Sequence, residues 1–96
     1  VEMKKKSSDT YDLARTLSAQ RELDAIPVRR IRDDVSATIQ MAFMRAKTPP
    51  EGYSVPDLPD FYCLDVCNYS IFYHIEKQSR MIVIVGVLEE GSYKLQ

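Results

Sequence analysis

Apolar and polar positions divide this chain into a patternless start, two helical stretches, a proline-rich connection and a strand-rich last third. Residues 1–9, VEMKKKSSD, show no apolar periodicity and read as a flexible basic tail. Met3 offers a natural start point, which would make Val1 and Glu2 a remnant of cloning. Tyr11, Leu13 and Arg15 then alternate with Asp12, Ala14 and Thr16, the two-residue period of a short strand. Ser18 is placed to cap a helix, since its hydroxyl can accept from a free backbone N–H. Ala19, Leu23 and Ile26 follow on one helical face. Val28, Ile31, Val35, Ile39 and Ala42 form a longer stripe at helical period through Arg45, with Pro27 suited to its first turn. Arg29, Arg30, Arg32, Asp33 and Gln40 fall on the opposite face.

Ala46–Asp60 holds Pro49, Pro50, Pro56, Pro59 and Gly52, a density that excludes a helix or an interior strand and predicts a long ordered loop. Phe61–Val66 alternates as a strand, and Cys67 with Asn68 reads as a turn, because Asn tolerates left-handed backbone. Tyr69–Glu76 is a second β-rich run, and Lys77, Gln78, Ser79 and Arg80 make a polar turn. Met81–Leu88 is continuously apolar, the pattern of a strand buried on both faces. The predicted order is β-α-α-loop-β-β-β, an α+β domain over residues 10–96 with the helices covering one side of a sheet.

Composition sharpens this picture mainly by exclusion. The chain has 96 residues, 45% hydrophobic and 28% charged, which fits one small globular domain rather than two. Its longest apolar run, Met81–Leu88, falls far short of the ~20 residues a bilayer span needs. With no charged-then-apolar leader at its start, the expected location is the cytoplasm, without a membrane partner. Net charge is −1, so no overall electrostatic pull toward nucleic acid exists, but residues 1–50 carry +3 and residues 51–96 carry −4. Such asymmetry points weakly to a charged partner surface. Cys63 and Cys67 are expected to be reduced thiols, and with the single His74 they make a poor zinc set, so no metal and no cofactor are expected.

Three stretches carry a resemblance to a known family. YDLARTLSAQRELDAIP, from Tyr11 to Pro27, is a strand followed by a polar helix ending in Ile-Pro. Val28 to Arg45 is the amphipathic helix. Phe61 to Leu88 gives a strand, a turn with an aromatic, and a Val/Ile-rich strand, the later part reading NYSIFYHIEKQSRMIVIVGVL. Together these resemble the RelE/ParE superfamily of bacterial toxins from toxin–antitoxin modules, many of them linked to plasmid stabilisation. The resemblance implies a small, mostly antiparallel four-stranded sheet packed on a helical hairpin. It also implies a cognate antitoxin partner, with homo- or hetero-oligomers within reach. RelE-like members cut mRNA in the ribosome without a metal, whereas ParE-like members poison DNA gyrase.

This chain departs from the ribonuclease pattern where that pattern is basic. Cys63 and Asp65 stand on the strand that carries cations in RelE-like enzymes, Ser70 follows the turn aromatic Tyr69, and Glu89 and Glu90 follow the last strand. RNA cleavage needs a base for the 2′-hydroxyl, a cation for the developing charge and an acid for the leaving oxygen. The expectation is therefore a toxin-like protein acting by protein contact, with an mRNA endonuclease using Tyr93, Lys94, His74 and Arg45 as the alternative. Arg29, Arg30, Arg32, Tyr62, Tyr69, Glu89 and Glu90 are the candidate partner-binding residues. The arginines, the tyrosines and His74 have a plain structural reading as well. The arginines suit a solvated helix face paired with Asp33 and Asp34, the tyrosines suit cross-strand packing, and His74 suits an edge strand.

Overall fold

The order of elements follows the alternation of the sequence, with one addition. The computed structural model describes residues 10–50 and 52–90. It contains β1 (Asp12–Arg15), α1 (Leu17–Asp24), α2 (Arg29–Phe43), β2 (Tyr53–Ser54), β3 (Phe61–Val66), β4 (Tyr69–Glu76) and β5 (Met81–Glu89). The sheet runs β1-β5-β4-β3-β2, with β1 parallel to β5 and every other pair antiparallel. The class is α+β as expected, and the strand count rises from four to five.

The fifth strand is β2, inside the proline-rich connection. Its two residues pair at the sheet edge, Tyr53 with Cys63 and Ser54 with Tyr62. Proline is tolerated beside an edge strand because one side of that strand needs no ladder donors. Gly52 brings this segment close to β3, since a Cβ there would collide with the Cys63 carbonyl oxygen. From the core side, the Tyr73 hydroxyl donates to the Pro50 carbonyl at 2.6 Å and accepts from the Gly52 N–H at 2.9 Å. The proline-rich connection is thus fastened to the sheet by this phenol in addition to the β2–β3 pairing and the Val55 N–H donating to the Phe61 carbonyl at 3.0 Å.

The helices begin and end differently from the sequence expectation. Thr16, not Ser18, caps α1: its Oγ1 accepts from the Ala19 N–H at 3.0 Å, which puts Ser18 inside the helix. Pro27 and Val28 do not form the first turn of α2. Val28 is the extended N-cap residue, 49% exposed, so the buried stripe starts later. The turn between the helices is held instead by Arg32, whose Nη1 donates to the Ile26 carbonyl at 3.0 Å. At the other end α2 stops at Phe43, because Met44 is extended and Arg45 has φ 57°, in the left-handed region. Phe43, absent from the expected stripe, is fully buried with Val35 and Ile39.

These side chains close one face of the sheet. Ile71, Tyr73 and Ile75 of β4 and Ile82, Ile84 and Val87 of β5 meet Val35, Ile39 and Phe43 of α2 and Ala19 and Leu23 of α1 in a single core. The Phe43 and Tyr73 rings sit 4.6 Å apart at 56°, and Tyr62 stacks on Tyr73 at 5.8 Å. Contrary to the expectation for a continuously apolar run, Met81–Leu88 is not sealed on both faces. Ile82 and Ile84 are buried while Met81, Val83, Val85 and Leu88 stay half-buried. The run is apolar throughout because β5 is flanked by β1 and β4, and its second face is only partly covered.

Candidate functional site

The side of the sheet turned away from α2 carries the candidate chemistry. Cross-strand register places Phe61 opposite His74, Cys63 opposite Phe72 and Asp65 opposite Ser70 on that face. On the other flank of β4, His74 pairs with Val83, Phe72 with Gly86 and Ser70 with Leu88. Three of the positions that depart from the ribonuclease pattern therefore come together. Asp65 Oδ1 accepts from the Ser70 hydroxyl at 2.8 Å and from the Cys63 thiol at 3.6 Å. The result is a carboxylate held by two small polar groups. Glu89 and Glu90 lie at the end of β5 beyond it, the Glu90 N–H donating to the Asn68 carbonyl at 2.7 Å.

Beside this cluster the face is apolar and concave. A cleft of about 430 Å³ is lined by Val55 and Leu58 from the proline-rich segment, Phe61 and Phe72 from the sheet, and Val85, Gly86 and Leu88 from β5, with Glu22 entering from α1. Its shape comes from a β-bulge. Phe72 pairs with Gly86 and Tyr73 with Ile84, so Val85 is the extra residue and β5 bends there. Past the bulge β5 has no partner from β1, whose pairing ends at Ile84. Glu22 substitutes for a neighbouring strand, its Oε1 accepting from the Val87 N–H at 2.8 Å. The same carboxylate lines a smaller cleft of about 250 Å³ with Ala25, Ile26, Pro27, Tyr69, Val87, Leu88 and Glu89. Among the described residues no Lys or Arg lines either cleft.

The other candidate residues are scattered. His74 stacks against Phe61 at 4.6 Å on the open face. Arg45 lies at the end of α2, against Tyr11, Asp12 and Leu13 of the chain around β1. Tyr93 and Lys94 lie outside the described residues. Arg29 and Arg30 are exposed, Arg29 reaching Asp33 at 3.9 Å in a solvated pair worth about 0.3–0.5 kcal/mol. Arg32 is engaged in the inter-helix turn. Tyr62 and Tyr69 pack against the core from its margin. Among the described residues no group of three His, Cys, Asp or Glu side chains is arranged to hold a metal ion, and Cys63 and Cys67 form no disulfide.

Sequence reasoning missed Glu22, Val55, Leu58, Phe72 and Val85. A signal existed for Val55 and Leu58, because a purely solvated proline-rich loop has no use for two large aliphatic residues. None existed for Glu22, whose role depends on where β1 stops.

Two helices against a five-stranded mixed sheet match the fold of the RelE/ParE toxins. Solved structures bear this out. The chain superposes with a TM-score of 0.67 on the RelBE2 toxin–antitoxin complex of Mycobacterium tuberculosis, at 20% identity over 84% of this chain and 99% of that one. It superposes equally, at 0.67, on the ParDE toxin–antitoxin system of P. aeruginosa, at 15% identity over 86% and 99% of the two chains. A mutant of the E. coli toxin RelE in the free state gives 0.69 at 15% identity, over 88% and 87%. No family model matches the sequence, and no curated protein is significantly similar to it. No helix among the described residues is long and apolar enough to cross a membrane.

Proposed function

We propose that this protein is the toxin-like subunit of a type II toxin–antitoxin pair and that it acts by protein contact rather than by cutting RNA. The carrying observation is the Cys63–Asp65–Ser70 cluster on the open face of the sheet. A scissile phosphate placed there meets a carboxylate instead of a cation. Each like-charge contact at ~4 Å costs about 1 kcal/mol in water and more in a cleft. Electrostatic stabilisation at the reacting phosphate would be missing, and that is commonly the largest part of such catalysis. An apolar cleft beside the cluster suits side chains of a protein partner, an antitoxin or a target such as DNA gyrase.

The alternative, a ribosome-dependent mRNA endonuclease, has less support, because His74 and Arg45 sit on different parts of the fold. One assay separates the two. The chain is expressed alone in a bacterial host, and messages and gyrase–DNA complexes are both measured. Growth arrest with intact messages is the expected result. Cleaved messages, abolished by Tyr93→Phe, would establish the enzyme instead.

A further inference from the structure

From the cleft at the β5 bulge we infer a docking site for a partner segment that carries a Lys or Arg flanked by apolar side chains, with Glu22 as the anchor for the positive charge. The inference rests on the protein-contact reading and specifies the chemistry of the partner.

The observations are geometric. Val55, Leu58, Phe61, Phe72, Val85 and Leu88 form an apolar wall that Gly86 leaves open at its base, and Leu58 is 50% exposed there. The charge that enters this wall is a single carboxylate. Glu22 Oε1 is committed to the Val87 N–H, which fixes the side chain in place. A carboxylate has a second oxygen and about four lone-pair sites, so one backbone N–H leaves most of its accepting capacity unused. Among the described residues no lysine or arginine pairs with Glu22. Among the described residues the adjoining cleft is lined by Glu89 and by no lysine or arginine.

Charge complementarity then selects the occupant. An anionic ligand such as a nucleic-acid strand gains nothing here and meets the Glu22 carboxylate. A purely apolar segment fills the wall but leaves the half-buried carboxylate losing hydration without compensation. A segment with one cation between aliphatic residues satisfies both, and a guanidinium or ammonium on a pre-positioned carboxylate makes a charge-assisted hydrogen bond. Because Val87 N–H holds Glu22 before the partner arrives, little ordering is needed on binding.

The test is selection of random peptides displayed on phage against the full chain, followed by affinity measurement of the selected sequences. The expected consensus is Lys or Arg between Leu, Ile, Val or Phe. Glu22→Gln keeps an oxygen for the Val87 N–H, so the fold should persist, while affinity for those peptides falls about tenfold or more. Leu58→Lys changes an exposed side chain and should weaken the same peptides by narrowing the cleft and repelling their cation. Amide shifts of labelled protein should move at Val85, Gly86 and Leu88 on peptide addition. The proposal is overturned if selection yields no binder. It is also overturned if the consensus is acidic or uncharged, or if both variants bind as well as the parent. Those results leave the protein-contact reading standing, since a partner could bind elsewhere. That reading fails only if messages are cut.

Discussion

The two faces of one sheet are built from the same strands and end up in opposite conditions. On the face toward α2, Ile71, Tyr73, Ile82 and Ile84 are fully buried. On the other, Phe61, Phe72, Val85 and Leu88, comparably apolar, are only half-covered. Side-chain alternation delivers apolar groups to both sides of β4 and β5, but α2 covers only one. The proline-rich segment lends Val55 and Leu58 to the other side, enough to shape a cleft and not enough to fill it. Stability is thus concentrated on the covered face. A partly covered apolar face beside polar groups is where a protein partner gains most by burial.

Substitutions should separate the faces by size of effect. Ile39→Ala deletes a fully buried side chain from the covered face, and chemical denaturation should show a loss of roughly 2–5 kcal/mol. A loss below half a kcal/mol would mean that α2 contributes little and that the contrast between the faces is misplaced. Tyr73→Phe retains the ring and removes the hydroxyl that holds Pro50 and Gly52. About 1–3 kcal/mol should disappear, because the Gly52 N–H and the Pro50 carbonyl lose their partner. Hydrogen exchange should rise at Tyr53 and Ser54 more than at Ile82. If protection at β2 is unchanged, the phenol is not what fastens the loop.

Thr16→Ala should cost about 1 kcal/mol by removing the cap of α1, whereas Ser18→Ala should cost much less. Equal costs would return the cap to Ser18. On the open face, Leu58→Ala should change stability by no more than about 0.5 kcal/mol, as expected for a half-exposed group outside the main core. A much larger loss there would show that the cleft is part of the core. The smallest effect belongs to neither face. Cys67 and Asn68 have φ 50° and 67°, a two-residue hairpin turn with both residues left-handed. Cys67→Asn should raise stability by a few tenths of a kcal/mol in thermal melts, since Asn adopts this conformation at less strain than most residues.

Local pattern was sufficient for much of the fold. The alternation of Phe61–Val66, the β-rich run Tyr69–Glu76, the four polar residues before Met81, and the helical spacing of Ile31, Val35 and Ile39 each mark an element without reference to the rest of the chain. Helix ends were less legible. Thr16 and Ser18 have equivalent capping chemistry, and the choice between them depends on β1 pairing with β5, whose ladder continues to the Thr16 N–H donating to the Ile84 carbonyl at 3.0 Å. Val28 fits the helical stripe in sequence, yet the turn after Ile26 sends it into solvent.

The candidate site divides in the same way. The residue types that weaken an RNA-cutting role, Cys63, Asp65 and Ser70, are visible in the sequence, because losing a cation is a change of letter at a position. Their union around one carboxylate is decided by the β3–β4 register, which a one-residue slip would undo. Of the cleft, only Val55 and Leu58 left a trace in the sequence. The cleft requires a bulge at Val85, an early end to β1, an edge strand drawn in by Tyr73, and a glutamate from a helix remote in sequence to occupy the gap. Alternation and composition are local and follow from the sequence alone. Where one strand stops and what fills the space beside it are set by long-range packing, and only the tertiary structure decides them.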